Sequence, residues 1–169
     1  GMLRDLGELR SFLDTVFAGA ALPVSVKTRL GYDSPEEWPA LLALLAEYPA
    51  SEVILHPRTR SEMYRGEAHR EAFALALEAG AWPCAYNGDL RTAADCRAMA
   101  EEYPGACALM VGRGMVSNPA LAREFAGGER LGLAELRAFH DALFEAYSRR
   151  WPANAVLGHM HETAQYFAD

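Results

Sequence analysis

The sequence predicts a parallel α/β fold, and three observations predict it. Four short apolar runs rich in β-branched or small residues lie at positions 23–27, 52–55, 83–86 and 106–111. Helical patterns separate them, and the runs recur at intervals of about 25 to 30 residues. Buried strands joined by helices of that length pair in parallel, because each return to the sheet crosses over through a helix, and the crossover is right-handed.

Each element has a local cause. Residues 3–17 read as a helix with Leu6, Leu9, Phe12, Leu13 and Val16 on one side. After the first strand run, Asp33-Ser34-Pro35-Glu36-Glu37 opens a helix with a cap residue, a proline in the first turn and acids at the positive helix end. Leu41, Leu42, Leu44 and Leu45 form its apolar face. Residues 69–79 form the next helix, closed by Gly80, and residues 92–103 the one after, closed by Pro104-Gly105. The order is one helix followed by four βα units, which suits either a doubly wound sheet or a segment of a (β/α)8 barrel.

The pattern changes after Gly127-Gly128, where two helices follow without intervening strands. The first, residues 133–149, carries Leu136, Phe139, Leu143, Phe144 and Tyr147 along one stripe; the second starts near Pro152 and runs to the end. The expected division is therefore residues 1–127 and residues 128–169.

Composition narrows the class. With 51% hydrophobic and 23% charged residues the chain can bury a core, so disorder is not expected. Its longest apolar runs, 40–46 and 106–111, fall far short of the roughly 20 residues that cross a bilayer. The N-terminus lacks the pattern of a secretory signal. Cys84, Cys96 and Cys107 match no zinc or CxxC spacing, so reduced thiols in a cytoplasmic protein are expected. His159 and His161, two apart, would face different sides of a helix, and no metal site is expected. A net charge of −7 argues against whole-surface attraction to nucleic acid and leaves room for a local basic patch.

In parallel α/β folds ligands gather at the carboxyl ends of the strands. Those ends here carry Lys27-Thr28-Arg29, His56-Pro57-Arg58-Thr59-Arg60, Asn87-Gly88-Asp89 and Gly112-Arg113-Gly114. The last two are glycine-bearing turns on neighbouring strands that lead into helix starts, where free backbone N–H groups can point at a phosphate. Gly112 and Gly114 would permit close backbone approach, and Arg113 would add a charged fork. Lys27 in "VSVKTR" is expensive to bury unless a ligand or carboxylate meets it, although a strand-end lysine also reaches solvent. His56 is read equally as a core imidazole or a ligand contact. Arg58, Arg60, Arg65 and Tyr64 share one long loop, a basic and aromatic mixture that would hold a nucleotide by charge and stacking or else form a solvated loop.

Four stretches in this order and spacing, "VKTRLGYD", "LHPRTRSEMYRG", "YNGD" and "LMVGRGMVSNP", resemble the second half of a tRNA-dihydrouridine synthase. The resemblance covers about residues 1–126, and the helices beyond are similar to the start of that family's tRNA-binding helical domain. It implies the C-terminal half of an FMN-binding (β/α)8 TIM barrel, in which NADPH reduces the flavin and the flavin reduces uridine in tRNA. It further implies that Lys27 and His56 lie against the flavin, that Asn87, Gly88, Asp89, Gly112 and Arg113 hold the ribityl-phosphate, and that Arg58 lies near the substrate uridine; Arg29, Arg60 and Tyr64 are expected to bind substrate beside it. The family's first four strands carry an apolar flavin-binding segment, a glutamine and an Asn-x-x-Cys-Pro stretch whose cysteine gives a proton to uracil; none of these occurs here. The expectation is a C-terminal fragment without turnover of its own, whose half barrel pairs with a second copy to remove its strand edges. Two other readings stand beside it: a non-catalytic half-barrel module, and another FMN barrel acting on small molecules, such as a dihydroorotate dehydrogenase. "HPRTR", Tyr64-x-Gly66 and the helices beyond the barrel argue against the last.

Overall fold

The computed structural model describes residues 1–167. The chain divides into two compact units, one of Gly1–Asp89 with Glu102–Met110 and one of Leu90–Glu101 with the residues from Val111 onward. The expected division at 127/128 falls inside the second.

The first unit holds a sheet of β1 (Ser25–Arg29), β2 (Glu52–His56), β3 (Cys84–Asn87) and β4 (Ala108–Met110), all parallel and in the order β1-β2-β3-β4. The order runs without reversal, so it contains no topological switch point of the doubly wound kind. This is the α/β sheet of a TIM-barrel segment, as the sequence predicts.

With it fold α1 (Leu6–Gly19), α2 (Trp38–Leu45) and α3 (Arg70–Ala79). The Asp5 carboxylate caps α1 by accepting from the amides of Gly7 and Glu8. The capping box at Ser34 and Glu37 shapes a 3-10 turn over Pro35–Glu37, so α2 starts later than the cap signal alone indicates. Gly80 ends α3 in the left-handed conformation at φ 61, which a side chain would strain.

Packing fixes which face of the sheet is which. The indole of Trp38, 1% exposed, donates to the Ala72 carbonyl at 2.9 Å and joins α2 to α3. Phe73 of α3 meets Tyr86 of β3 edge to face at 5.1 Å and Tyr103 at 5.3 Å. Tyr86, and its register partner Leu55, therefore point towards the helices. Strand alternation then sends Lys27, Ile54, Ala85 and Ala108 to the opposite face in one row, and Arg29, His56, Asn87 and Met110 in the row beyond. That second row lies at the carboxyl ends.

β1 and β4 are the edges, and they are the more exposed strands, whereas β2 and β3 are buried along nearly their whole length. Lys27 is accordingly exposed. The burial cost weighed for it in "VSVKTR" is only partial, because β1 has no neighbour on one side in this sheet and the side chain reaches solvent, the other outcome open to a strand-end lysine.

The second unit contains α4 (Ala93–Glu102, except its last residue), α5 (Arg113–Ser117), α6 (Leu121–Phe125), α7 (Leu133–Ser148) and α8 (Ala153–Ala164). Arg123 forks onto both carboxylate oxygens of Glu135 at 2.7 Å and holds the start of α7. The apolar stripe of α7 is not buried: Phe139 is 39% and Phe144 46% exposed. Tyr147 stacks on Trp151 at 5.2 Å, and Trp151 meets His159 of α8 at 4.3 Å. The last helix ends at Ala164, short of the chain end expected for it, and residues 168–169 lie outside the described residues. Among the described residues no helix is long and apolar enough to cross a membrane.

Candidate functional site

The carboxyl ends of β1, β2 and β3 bring together Lys27, Arg29, His56, Arg58, Asn87, Gly88 and Asp89, all in the first unit. Positive charge dominates. Lys27 is held below its ordinary pKa by partial desolvation and by the neighbouring Arg29. His56, 6% exposed, is pushed down to about 4, first by burial and then by Arg29, Lys27 and Arg58, against a smaller opposing pull from Asp89. Its imidazole is therefore neutral at neutral pH and offers one donor and one acceptor.

The 57–69 loop between β2 and α3 is braced from beneath. Arg29 donates through Nη1 to the carbonyls of Thr59 at 2.7 Å and Met63 at 3.0 Å. Arg58, 1% exposed, donates through Nε to Arg65 O and through Nη2 to Gly66 O and to the Asp89 carboxylate at 2.6 Å. Its Nη1 is buried without a protein acceptor. On top of the loop, Tyr64 is 57% exposed, with its ring 6.0 Å from His56 and 5.7 Å from the Arg29 guanidinium. Arg60 is exposed on the same loop.

Two proposed phosphate contacts have protein partners of their own. The Asn87 amide donates to the Met110 carbonyl at 2.8 Å and ties the tip of β3 to that of β4. The Asp89 carboxylate, paired with Arg58, would repel a phosphate, which leaves the backbone amide as what Asp89 can offer. Gly88 is closely packed: a Cβ there would lie 3.2 Å from Tyr86 Oη and 3.6 Å from His56 Cδ2. Gly112 and Arg113 begin α5 in the second unit, Gly112 as its exposed cap residue. Sequence reasoning missed Glu62 and His69, which contact each other inside the loop seven residues apart at 2.7 Å; no periodic pattern marks such a pair.

None of the three thiols belongs to this group. Cys84 opens β3 and Cys107 precedes β4, both at the amino ends, and Cys96 is buried on α4. Burial raises the Cys84 thiol to about 11.

An all-parallel sheet with a cationic, polar row at its carboxyl ends is a TIM-barrel segment with a candidate ligand site at the end where that fold places one. The dihydrouridine synthase family model matches residues 2–149, and the chain belongs to that family. It is 39% identical over 107 residues to the tRNA-dihydrouridine(16) synthase of Aquipseudomonas alcaligenes, covering 63% of this chain and 34% of that one. It is 32% identical over 149 residues to tRNA-dihydrouridine synthase B of Pseudomonas aeruginosa, covering 85% and 45%, and 29% identical over 160 residues to that of Pasteurella multocida, covering 94% and 45%. The chain thus spans less than half the length of these curated relatives.

Proposed function

We propose that this chain supplies the flavin-holding half of a tRNA-dihydrouridine synthase site. The observation that carries the reading is the row of Arg29, His56 and Asn87 above Lys27, where Lys27, Arg29 and Arg58 outnumber the carboxylates that act on them, Asp89 and, from the loop, Glu62. Such an excess suits an anionic group, and the buried, unsatisfied Nη1 of Arg58 suits an acceptor that the protein does not provide.

In this reading Lys27 stabilises negative charge at the pyrimidine edge of FMN, and neutral His56 contacts the ring by hydrogen bonding. Asn87, Gly88, Asp89 through its backbone, Gly112 and Arg113 hold the ribityl-phosphate, the last two on the strength of the sequence resemblance alone. Bound FMN, reduced by NADPH, supplies the reducing equivalents for a uracil ring. Arg29, Arg60 and Tyr64 meet the tRNA uridine, with Arg58 acting from beneath the loop. The proton donor to uracil comes from outside this group, since no thiol stands at the carboxyl ends. Two-domain division at 127/128, RNA binding by the helices beyond it and a cytoplasmic location belong to the same proposal.

FMN titration tests it. Flavin fluorescence should be quenched on binding, riboflavin should bind more weakly than FMN, and Lys27→Met should weaken FMN about tenfold. Because His56 titrates near 4, affinity should stay level between pH 6 and 8 as far as this residue is concerned. Failure of the chain to take up FMN would overturn the reading.

The exposed edges favour association as well. Beside β1 lies a groove of about 730 Å³ walled by Leu9, Phe12 and Leu13 of α1 and by Val26. Two copies pairing β1 with the partner's β4, and the reverse, would close eight strands and leave no edge. Light scattering should then give about twice the 18.5 kDa chain mass; a monodisperse monomer would refute it.

A further inference from the structure

We propose that Glu62 and His69 form a clasp across the 57–69 loop and act as positioning residues for Tyr64. The proposal rests on the reading that Tyr64 meets the substrate base. His69 is the cap residue of α3, at the foot of the loop, where its amide donates to the Pro57 carbonyl at 2.8 Å. Its Nε2 lies 2.7 Å from Glu62 Oε1. The other oxygen of Glu62 accepts from the Thr59 amide at 2.6 Å, and the Glu62 amide donates to Thr59 Oγ1 at 3.2 Å. One carboxylate thus joins both ends of the loop. Between Glu62 and Tyr64 stands Met63 at φ 59, a left-handed conformation that a non-glycine residue adopts only when its surroundings hold it. The clasp on one side and the Arg29 bond to the Met63 carbonyl on the other provide that hold.

The charged groups around the clasp favour its ionised form. Glu71 of α3 faces His69 Nδ1 at 3.4 Å, and Arg29 of β1 acts on Glu62 from below. The hydrogen bond to Glu62 raises the His69 imidazole above its ordinary 6.5; burial opposes the ionised Glu62, but its bonds from His69 and Thr59 outweigh this and hold it below 4.5. A raised histidine contributes stability that is complete below its unfolded value and lost as pH rises through the folded one. A depressed carboxylate contributes stability that is lost as pH falls through its folded value. The ionised clasp therefore operates between those limits and opens on either side.

The test is proton NMR of the full chain without ligand. His69 should titrate above 6.5, and Glu62→Gln should lower that titration. The amides of Thr59, which donates to the Glu62 carboxylate, and Arg65, which donates to the Glu62 carbonyl, corrected for intrinsic rates, should exchange about tenfold faster once pH has passed the His69 midpoint. Glu62→Gln should abolish this step, and His69→Gln, which keeps a donor without a titrating charge, should restore protection at every pH. A His69 midpoint at or below 6.5, or equal exchange on both sides of it, would overturn the clasp. Uridine 5′-monophosphate separates the two readings: if it fails to perturb Tyr64 while the exchange step is present, the substrate reading falls and the clasp stands.

Discussion

Replacing Arg58 with methionine is expected to destabilise the sheet unit by about 3 kcal/mol in urea unfolding, a loss large enough to unfold many domains of this size. The guanidinium is 1% exposed and bonds to the carbonyls of Arg65 and Gly66 and to Asp89. Methionine fills much of the volume and makes none of these bonds. Charge-assisted bonds contribute about 1.5 to 3 kcal/mol each, but relief of a buried charge offsets part of the loss. The Asp89 side chain is 41% exposed, so it is rehydrated and not stranded. Asp89→Asn should therefore cost clearly less, about 1 kcal/mol, since asparagine also tolerates the φ of 48 at this position. A loss below about 1 kcal/mol for Arg58→Met would show that the loop holds itself without its brace.

That contrast also marks what the sequence can and cannot reveal. Arg58 and Arg60 stand two apart in "HPRTR" and read alike as basic loop residues, yet one is buried beneath the loop and the other is exposed on it. The difference depends on where Gly66 and Asp89 come to lie, and no local pattern encodes that. The end of α3 was legible because its cause is local, Gly80 after Ala79, whereas the equally local box of Ser34 and Glu37 opens a 3-10 turn ahead of α2. Strand limits were less so. The first run was expected at 23–27 and pairs as Ser25–Arg29, and the last was expected at 106–111 and pairs only over Ala108–Met110. Apolar composition marks where a strand can form, whereas the neighbouring strand decides how far pairing runs. Strand order likewise made β1 an edge and exposed Lys27. That Lys27, Arg29, His56 and Asn87 share one face near the carboxyl ends was legible, because alternation and parallel register suffice to place them there.

The two glycines of "GRG" should separate by effect, although the sequence treats them alike. A Cβ on Gly114 would lie 2.5 Å from the Leu90 carbonyl oxygen and 3.0 Å from Arg91 Cα. Both are backbone atoms, unable to swing aside as a side-chain end would, so the second unit has to shift. Gly114→Ala should cost about 2 to 3 kcal/mol even after the gain in helix propensity within α5. A Cβ on Gly112 would meet nothing within 4 Å, and Gly112→Ala should stay within about 0.5 kcal/mol of the parent. Urea unfolding of both variants measures the difference. The FMN titration then tests the phosphate contact proposed for Gly112: if its backbone approaches a phosphate, alanine there weakens FMN binding while stability is unchanged. Gly114 acts in the opposite sense, through packing against 90–91, and any loss of flavin in Gly114→Ala should track its loss of stability. Equal stability of the two variants would remove the packing account of Gly114.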